Sequence, residues 1–162
     1  NLSAALALQI IFKEQAMANT SIYHDRKYRE ESLALVYEWV EVMSAAFERS
    51  PYIIQLNPIQ QASCSLLLRA FFESCYCYGL VTPGRLNEQV TKEIMLKTLP
   101  KKTRKEHLKW EAFAPVMVQF LKFCEANYLM EDTQSMQSTI YQLSPKMLEA
   151  FSEETSSHIP CN

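Results

Sequence analysis

The residues best placed to do chemistry are cations. From Lys97 to Lys109 the chain reads KTLPKKTRKEHLK, with Lys97, Lys101, Lys102, Arg104, Lys105 and Lys109 against the single carboxylate of Glu106. Six positive charges and one negative give this joint a local charge of +5, while the remaining ten cations and seventeen carboxylates leave −7 elsewhere. Such an asymmetry suits an acidic protein surface or a phosphate backbone. The simpler use of the same charges is a solvated connection between two helices. No aromatic residue interleaves with the lysines, which weakens single-strand binding by base stacking. Lys101, Lys102, Arg104, Lys105 and Lys109 are the candidate partner-binding residues. Trp39 joins them as an anchor, because it stands beside an apolar stripe and off its centre.

Other reactive groups do not assemble in the sequence. No GxSxG, HExxH, P-loop or GxGxxG pattern occurs. His24, His107 and His158 are scattered, and His107 sits among lysines whose field would lower an imidazole pKa. Glu30-Glu31 and Glu153-Glu154 are adjacent pairs, so their side chains diverge around a helix and read as surface acids. The five cysteines, Cys64, Cys75, Cys77, Cys124 and Cys161, contain no CxxC pair, and four lie within apolar helical patterns. They read as reduced core thiols of a cytoplasmic protein. No catalytic residue, cofactor or metal is expected, and the chain reads as a non-enzyme.

The totals describe one domain. A chain of 162 residues with 48% hydrophobic and 21% charged residues can bury a useful core, and its net charge of −2 exerts no global pull on nucleic acid or an anionic membrane. Two glycines are few for a turn-rich β fold. No apolar run approaches the ~20 residues of a membrane span. Leu2 to Phe12 is apolar, but it lacks a basic region before it and Lys13-Glu14 follow, so it is a poor signal peptide. The chain begins at Asn1, and Met17-Ala18-Asn19 would suit a translation start. The first residues therefore read as an upstream extension or the cut end of a longer chain.

The elements that would hold the cationic joint are helices. Within WEAFAPVMVQFLKFCEANYLM, Trp110 to Met130, apolar residues Phe113, Met117, Phe120, Leu121, Cys124 and Tyr128 share one face. Val116, Val118, Phe123 and Leu129 extend the apolar surface nearly all round, so this helix needs several neighbours. Pro115 marks its first turn or its true start, the latter leaving Lys105 to Ala114 as a separate short helix. Leu2 to Lys13 reads as a short helix within an extension over 1–20. His24-Asp25 opens a long helix to about Arg49, with Leu33, Val36, Tyr37, Val40, Ser44 and Phe47 as its buried stripe. Asn57-Pro58 caps a second core helix running to Tyr78, with Cys64, Leu67, Leu68, Phe71, Phe72, Cys75 and Tyr78 inward and Gly79 as its C-terminal cap. Thr82-Pro83 starts another helix, ending at Leu99-Pro100. Thr133 to Gln142 and Ser144 to about Glu154 form two last helices, and 155–162 is a tail. The helical domain spans 21–154, without internal repeats or low-complexity segments.

Two stretches carry resemblances. The order AAFERSP, LPKK, WEAFAPVMVQFLKFCEANYL and LSPKMLEAF resembles a helical domain of uncharacterised prokaryotic proteins, some of which also bear a SEC-C zinc motif. The SEC-C cysteines are absent from this chain, so the resemblance implies neither metal nor activity. FLKFCEANYLMED followed by TIYQLSPKMLEAF is similar to the end of a winged-helix domain, which implies a recognition helix and then a β-hairpin wing containing Thr139-Ile140-Tyr141. That reading requires a polar exposed face on residues 113–128 and a basic wing tip, and the sequence has neither.

The sequence thus predicts an all-α orthogonal bundle of six to seven helices around two central apolar helices. Its expected role is a non-catalytic protein-interaction or scaffolding module, with a protein partner or self-association into an oligomer. The alternative is a winged-helix-like nucleic-acid-binding regulator using the joint. The eight Phe, eight Tyr and seven Met supply a core or line a partner groove. Helix against hairpin at 133–143 separates the two readings.

Overall fold

A computed structural model describes residues 28–103 and 108–157, together with Leu6, Ala7 and Ile10. The described residues are all-α, with no strand, and form five principal helices. Leu6, Ala7 and Ile10 are helical, as expected for the N-terminal segment, and the rest of that segment lies outside the described residues.

Helix α1 spans Glu30–Glu48. Glu30 and Glu31 occupy its first turn, where carboxylates suit the helix dipole. At its far end the Ser50 hydroxyl donates to the Phe47 carbonyl at 2.7 Å, and Pro51 begins the three-ten turn Pro51–Gln55. The buried stripe is wider than expected. Val36, Val40, Ser44 and Phe47 are buried, and so are Trp39 and Met43, whereas Leu33 and Tyr37 are half-buried.

Trp39 is therefore no surface anchor: its exposure is 0%. Its ring meets Phe72 edge-on at 5.1 Å and Phe120 at 5.9 Å. Helix α1 touches two other helices, so its inward arc is broad enough to take in a residue beside the central stripe.

Helix α2, Pro58–Gly79, starts as Asn57-Pro58 predicts. The Gln60 amide donates to the Asn57 side chain at 2.9 Å, and the Asn57 amide donates to the Gln60 side chain at 3.0 Å. This reciprocal box satisfies two otherwise orphaned donors. The C-terminus differs from expectation. Gly79 is the last helical residue, and Leu80 takes the left-handed conformation, φ 53°. Gly79 is small for another reason: a Cβ there would stand 3.2 Å from a methyl of Val90. Tyr78, expected inside, is 55% exposed.

Pro83–Arg85 is a three-ten turn, and Asn87, not Thr82, caps the following α-helix by accepting from the Val90 amide at 3.0 Å. Helix α3 comprises Glu88–Glu93, a π turn at Ile94–Thr98 and Leu99–Lys102 without a break. It continues past Pro100 because the π turn widens the preceding coil, so the ring does not abut a regular i−4 carbonyl. Residues 104–107 lie outside the description. They include Arg104, Lys105 and His107, and His24 and His158 also lie outside it.

Trp110–Ala112 is a three-ten turn leading into α4, Phe113–Ala126, with Pro115 in the first turn where no amide donor is needed. Nine of its fourteen residues are buried, from Phe113 to Cys124, as an apolar surface on several sides requires. The Asn127 side chain donates to the Phe123 carbonyl at 2.8 Å and closes the helix. Tyr128 and Asp132 then adopt positive φ, 58° and 36°.

The last two expected helices are one, α5, Gln134–Ser157, which runs beyond the predicted boundary at 154. Pro145 lies inside it on the exposed side, where solvent can serve the carbonyl that the ring leaves unpaired. Thr139, Ile140 and Tyr141 are helical, with Ile140 buried, so the hairpin wing does not form.

Candidate functional site

The cationic joint is presented by two rigid supports. On α3, Ile94, Met95, Leu99 and Pro100 are buried, which leaves Lys97, Lys101 and Lys102 on the solvent side. On the other flank Lys109 is exposed directly before Trp110, whose ring stacks on Phe151 at 4.5 Å and 25°. The lysines thus project from backbone fixed by core side chains. Arg104 and Lys105 fall between the supports in the sequence and are outside the described residues.

Lys97 and Lys101 are four apart on a helical segment and share a face. Glu93, one turn before Lys97, is exposed and makes no ion pair with it. No carboxylate of a described residue pairs with Lys97, Lys101, Lys102 or Lys109. The Lys102 ammonium instead lies 5.7 Å from the centre of the Tyr78 ring. Sequence spacing hid this aromatic, which comes from the end of α2 and joins the lysines only in the folded chain. A cation over a half-exposed phenol ring offers both charge and a flat apolar surface.

A second charged surface is acidic. On α1, Glu31, Ala34, Glu38, Glu41, Ala45 and Glu48 are all exposed. Their spacing of three, four, three, four and three places them along one face. It was legible in principle as the complement of the buried stripe. The row is ~25 Å long at the helical rise per residue. None of its glutamates pairs with a cation of a described residue. Arg29 and Arg49 flank the row at its two ends.

The remaining polar groups are structural. Tyr37 donates to Glu73 at 2.6 Å while the Arg69 guanidinium stands 4.4 Å over its ring. Burial, and then this bond to a carboxylate, push the Tyr37 hydroxyl up to about 12. Burial pushes the Cys64 thiol up to about 12 and raises Cys75 and Cys124 as well. Such thiols are protonated and poor nucleophiles, in keeping with the core role expected from the sequence. Among the described residues no group of three or more His, Cys, Asp or Glu could hold a metal ion. No helix among them is long and apolar enough to cross a membrane.

No family model, curated protein or solved structure matches this chain.

Proposed function

We propose that the chain is a non-catalytic helical interaction module whose recognition surface is the lysine joint, Lys97, Lys101, Lys102 and Lys109, to which the sequence adds Arg104 and Lys105. The observation that carries this reading is the unneutralised set of exposed lysines on buried supports, beside the exposed ring of Tyr78. A rigid single-sign surface attracts an opposite charge at long range and orients it on arrival. An acidic protein segment fits that chemistry, and an aromatic or methyl side chain within it could lie on Tyr78.

The competing reading, a nucleic-acid regulator, uses the same lysines and gains Tyr78 as a stacking surface. It loses the wing that the winged-helix likeness implied, because α5 occupies that stretch. Titration of the protein with poly-L-glutamate and with a DNA duplex, each across a range of salt, tests both readings. Tight, salt-sensitive binding of the polypeptide, lost in the triple variant Lys101→Glu, Lys102→Glu and Lys109→Glu, is the expected result. Preference for the duplex, with a steep salt slope, would transfer the surface to nucleic acid. Binding of neither probe overturns the assignment of the joint.

A further inference from the structure

We infer that the acidic partner of the lysine joint is a second copy of this chain, which presents the glutamate face of α1 — Glu31, Glu38, Glu41 and Glu48 — to Lys97, Lys101 and Lys102. The inference rests on the reading of the joint as an interaction surface and identifies its occupant.

Three observations converge on it. The first is complementarity within one molecule: two exposed surfaces of opposite sign, neither paired with a described residue of its own chain. A row of solvated glutamates is ordinary by itself, but here the same chain also displays its counterpart. The second is shape. Ala34 and Ala45 interrupt the acidic row with the smallest side chains available there, so an approaching backbone meets a low surface between carboxylates. The third is placement. The Lys102 ammonium lies against Tyr78 near the end of α2, and Tyr76 in the same turn packs its ring 5.7 Å from Tyr28. The Tyr76 hydroxyl accepts from the Arg29 amide at 2.9 Å, immediately before α1 begins. The basic surface and the start of the acidic row therefore lie at the same end of α2.

Surfaces of opposite sign that begin at the same end of α2 suit a two-fold axis passing between them. Each joint then meets the partner's α1, and the same contact is made twice. If the rotation does not close, the same pairing makes chains instead of dimers. Either way the attraction is between exposed charges and weakens as salt shortens its range.

Sedimentation velocity of the full chain at about 20 mM and about 0.5 M salt tests this. Wild type should associate at low salt and dissociate at high salt. The lysine-reversed variant, Lys97→Glu with Lys101→Glu and Lys102→Glu, should be monomeric. So should the glutamate-reversed variant, Glu31→Lys with Glu38→Lys and Glu41→Lys. Neither should self-associate, since in each the two surfaces carry the same net sign. Their equimolar mixture should form a hetero-complex, which no structural defect in either variant would produce. If a reversed variant fails to fold by circular dichroism, the single changes Lys102→Gln and Glu41→Gln replace it, and each should weaken self-association several-fold.

Wild type that stays monomeric at low salt, association indifferent to either variant, or folded variants that ignore each other would each overturn the inference. Poly-L-glutamate separates this failure from that of the function itself. A monomeric wild type that still binds the polypeptide through its lysines retains the interaction surface and loses only the homotypic partner. A monomer that binds no polypeptide loses both.

Discussion

The α1–α2–α4 region and the α3–α5 region share one apolar core, but they differ in what is added to it. In the first, Phe120 is the hub: its ring lies 5.9 Å from Trp39, 5.5 Å from Phe47 and 5.8 Å from Phe72, with edge-on geometries throughout. In the second, and where it meets α4, carboxylate bonds that hold their pKa down reinforce the apolar packing. Glu88, at the head of α3, accepts from Ser135 and Thr139 of α5, both at 2.9 Å. Glu125, near the end of α4, accepts from the Thr133 hydroxyl at 2.7 Å and from its amide at 3.2 Å, which fixes the entry to α5. Aromatic packing is non-directional in sum and insensitive to pH, whereas a carboxylate clamp is directional and titrates. The first region should therefore respond most to cavities, and the second should add a response to protons.

Phe120→Ala is the strongest way to break the first region. It should cost about 3–5 kcal/mol, as large-to-small changes at buried aromatic positions do. Urea unfolding by tryptophan fluorescence would read it, because Trp39 lies against the lost ring. A loss below about 1 kcal/mol would mean that the aromatic hub is not what holds α1 to α4. In the second region, Thr133→Ala should cost about 1 kcal/mol, the ordinary effect of removing a hydroxyl where a helix begins. Here the loss should appear first as faster amide exchange at the start of α5, with α1 and α2 unchanged.

Acid should separate the regions without any mutation. Hydrogen bonds from Thr139 and Ser135 hold the Glu88 carboxyl below its ordinary value, and the Thr133 hydroxyl does the same for Glu125. A folded-state pKa below the unfolded one contributes stability that is complete above the unfolded value. That stability disappears as pH falls through the folded value. Amide exchange in α5 should thus accelerate below the usual carboxylate range before exchange in α2 does. Glu88→Gln should flatten the pH dependence, while Phe120→Ala should leave its shape alone. Both carboxylates are exposed, so the effect is smaller than either substitution above.

How far the sequence disclosed this division depends on what each signal needs. Asn57-Pro58 needs only its own neighbours, so the start of α2 was legible to the residue. The apolar surface of α4 also announced itself, because burial on several sides leaves no polar face to misread. Trp39 misled because the width of a buried arc depends on how many helices press against it, and local periodicity does not contain that number. Pro145 misled because a proline on an exposed side leaves its orphan carbonyl to solvent and does not stop the helix. Tyr78 joined the lysines only through the approach of α3 to the end of α2, a contact between residues more than twenty apart in sequence. The acidic row of α1 was present all along as the inverse of the apolar stripe.

Two smaller changes examine backbone and contact. Tyr128 is 92% exposed yet held at φ 58°, a conformation disfavoured by about 1–2 kcal/mol in residues with an ordinary Cβ and better tolerated by asparagine. Tyr128→Asn gives up little packing, so it should raise the thermal midpoint slightly by relieving the turn between α4 and α5. An unchanged or lower midpoint would show that the ring is held by something other than the turn.

The smallest effect lies where the two regions meet, at Gly79 of α2 against Val90 of α3. An alanine in place of a helical glycine ordinarily stabilises by about 0.5–1 kcal/mol. Here its methyl would stand 3.2 Å from a Val90 methyl, closer than carbon atoms prefer, so α3 must give by a few tenths of an ångström. The two effects oppose each other and Gly79→Ala should be nearly neutral. In a Val90→Ala background the obstruction is gone, and the same change should recover the full helical gain. The difference between the two measurements is the coupling between the aromatic and clamped regions at their seam. A gain of equal size in both backgrounds would mean that α3 yields freely at this contact.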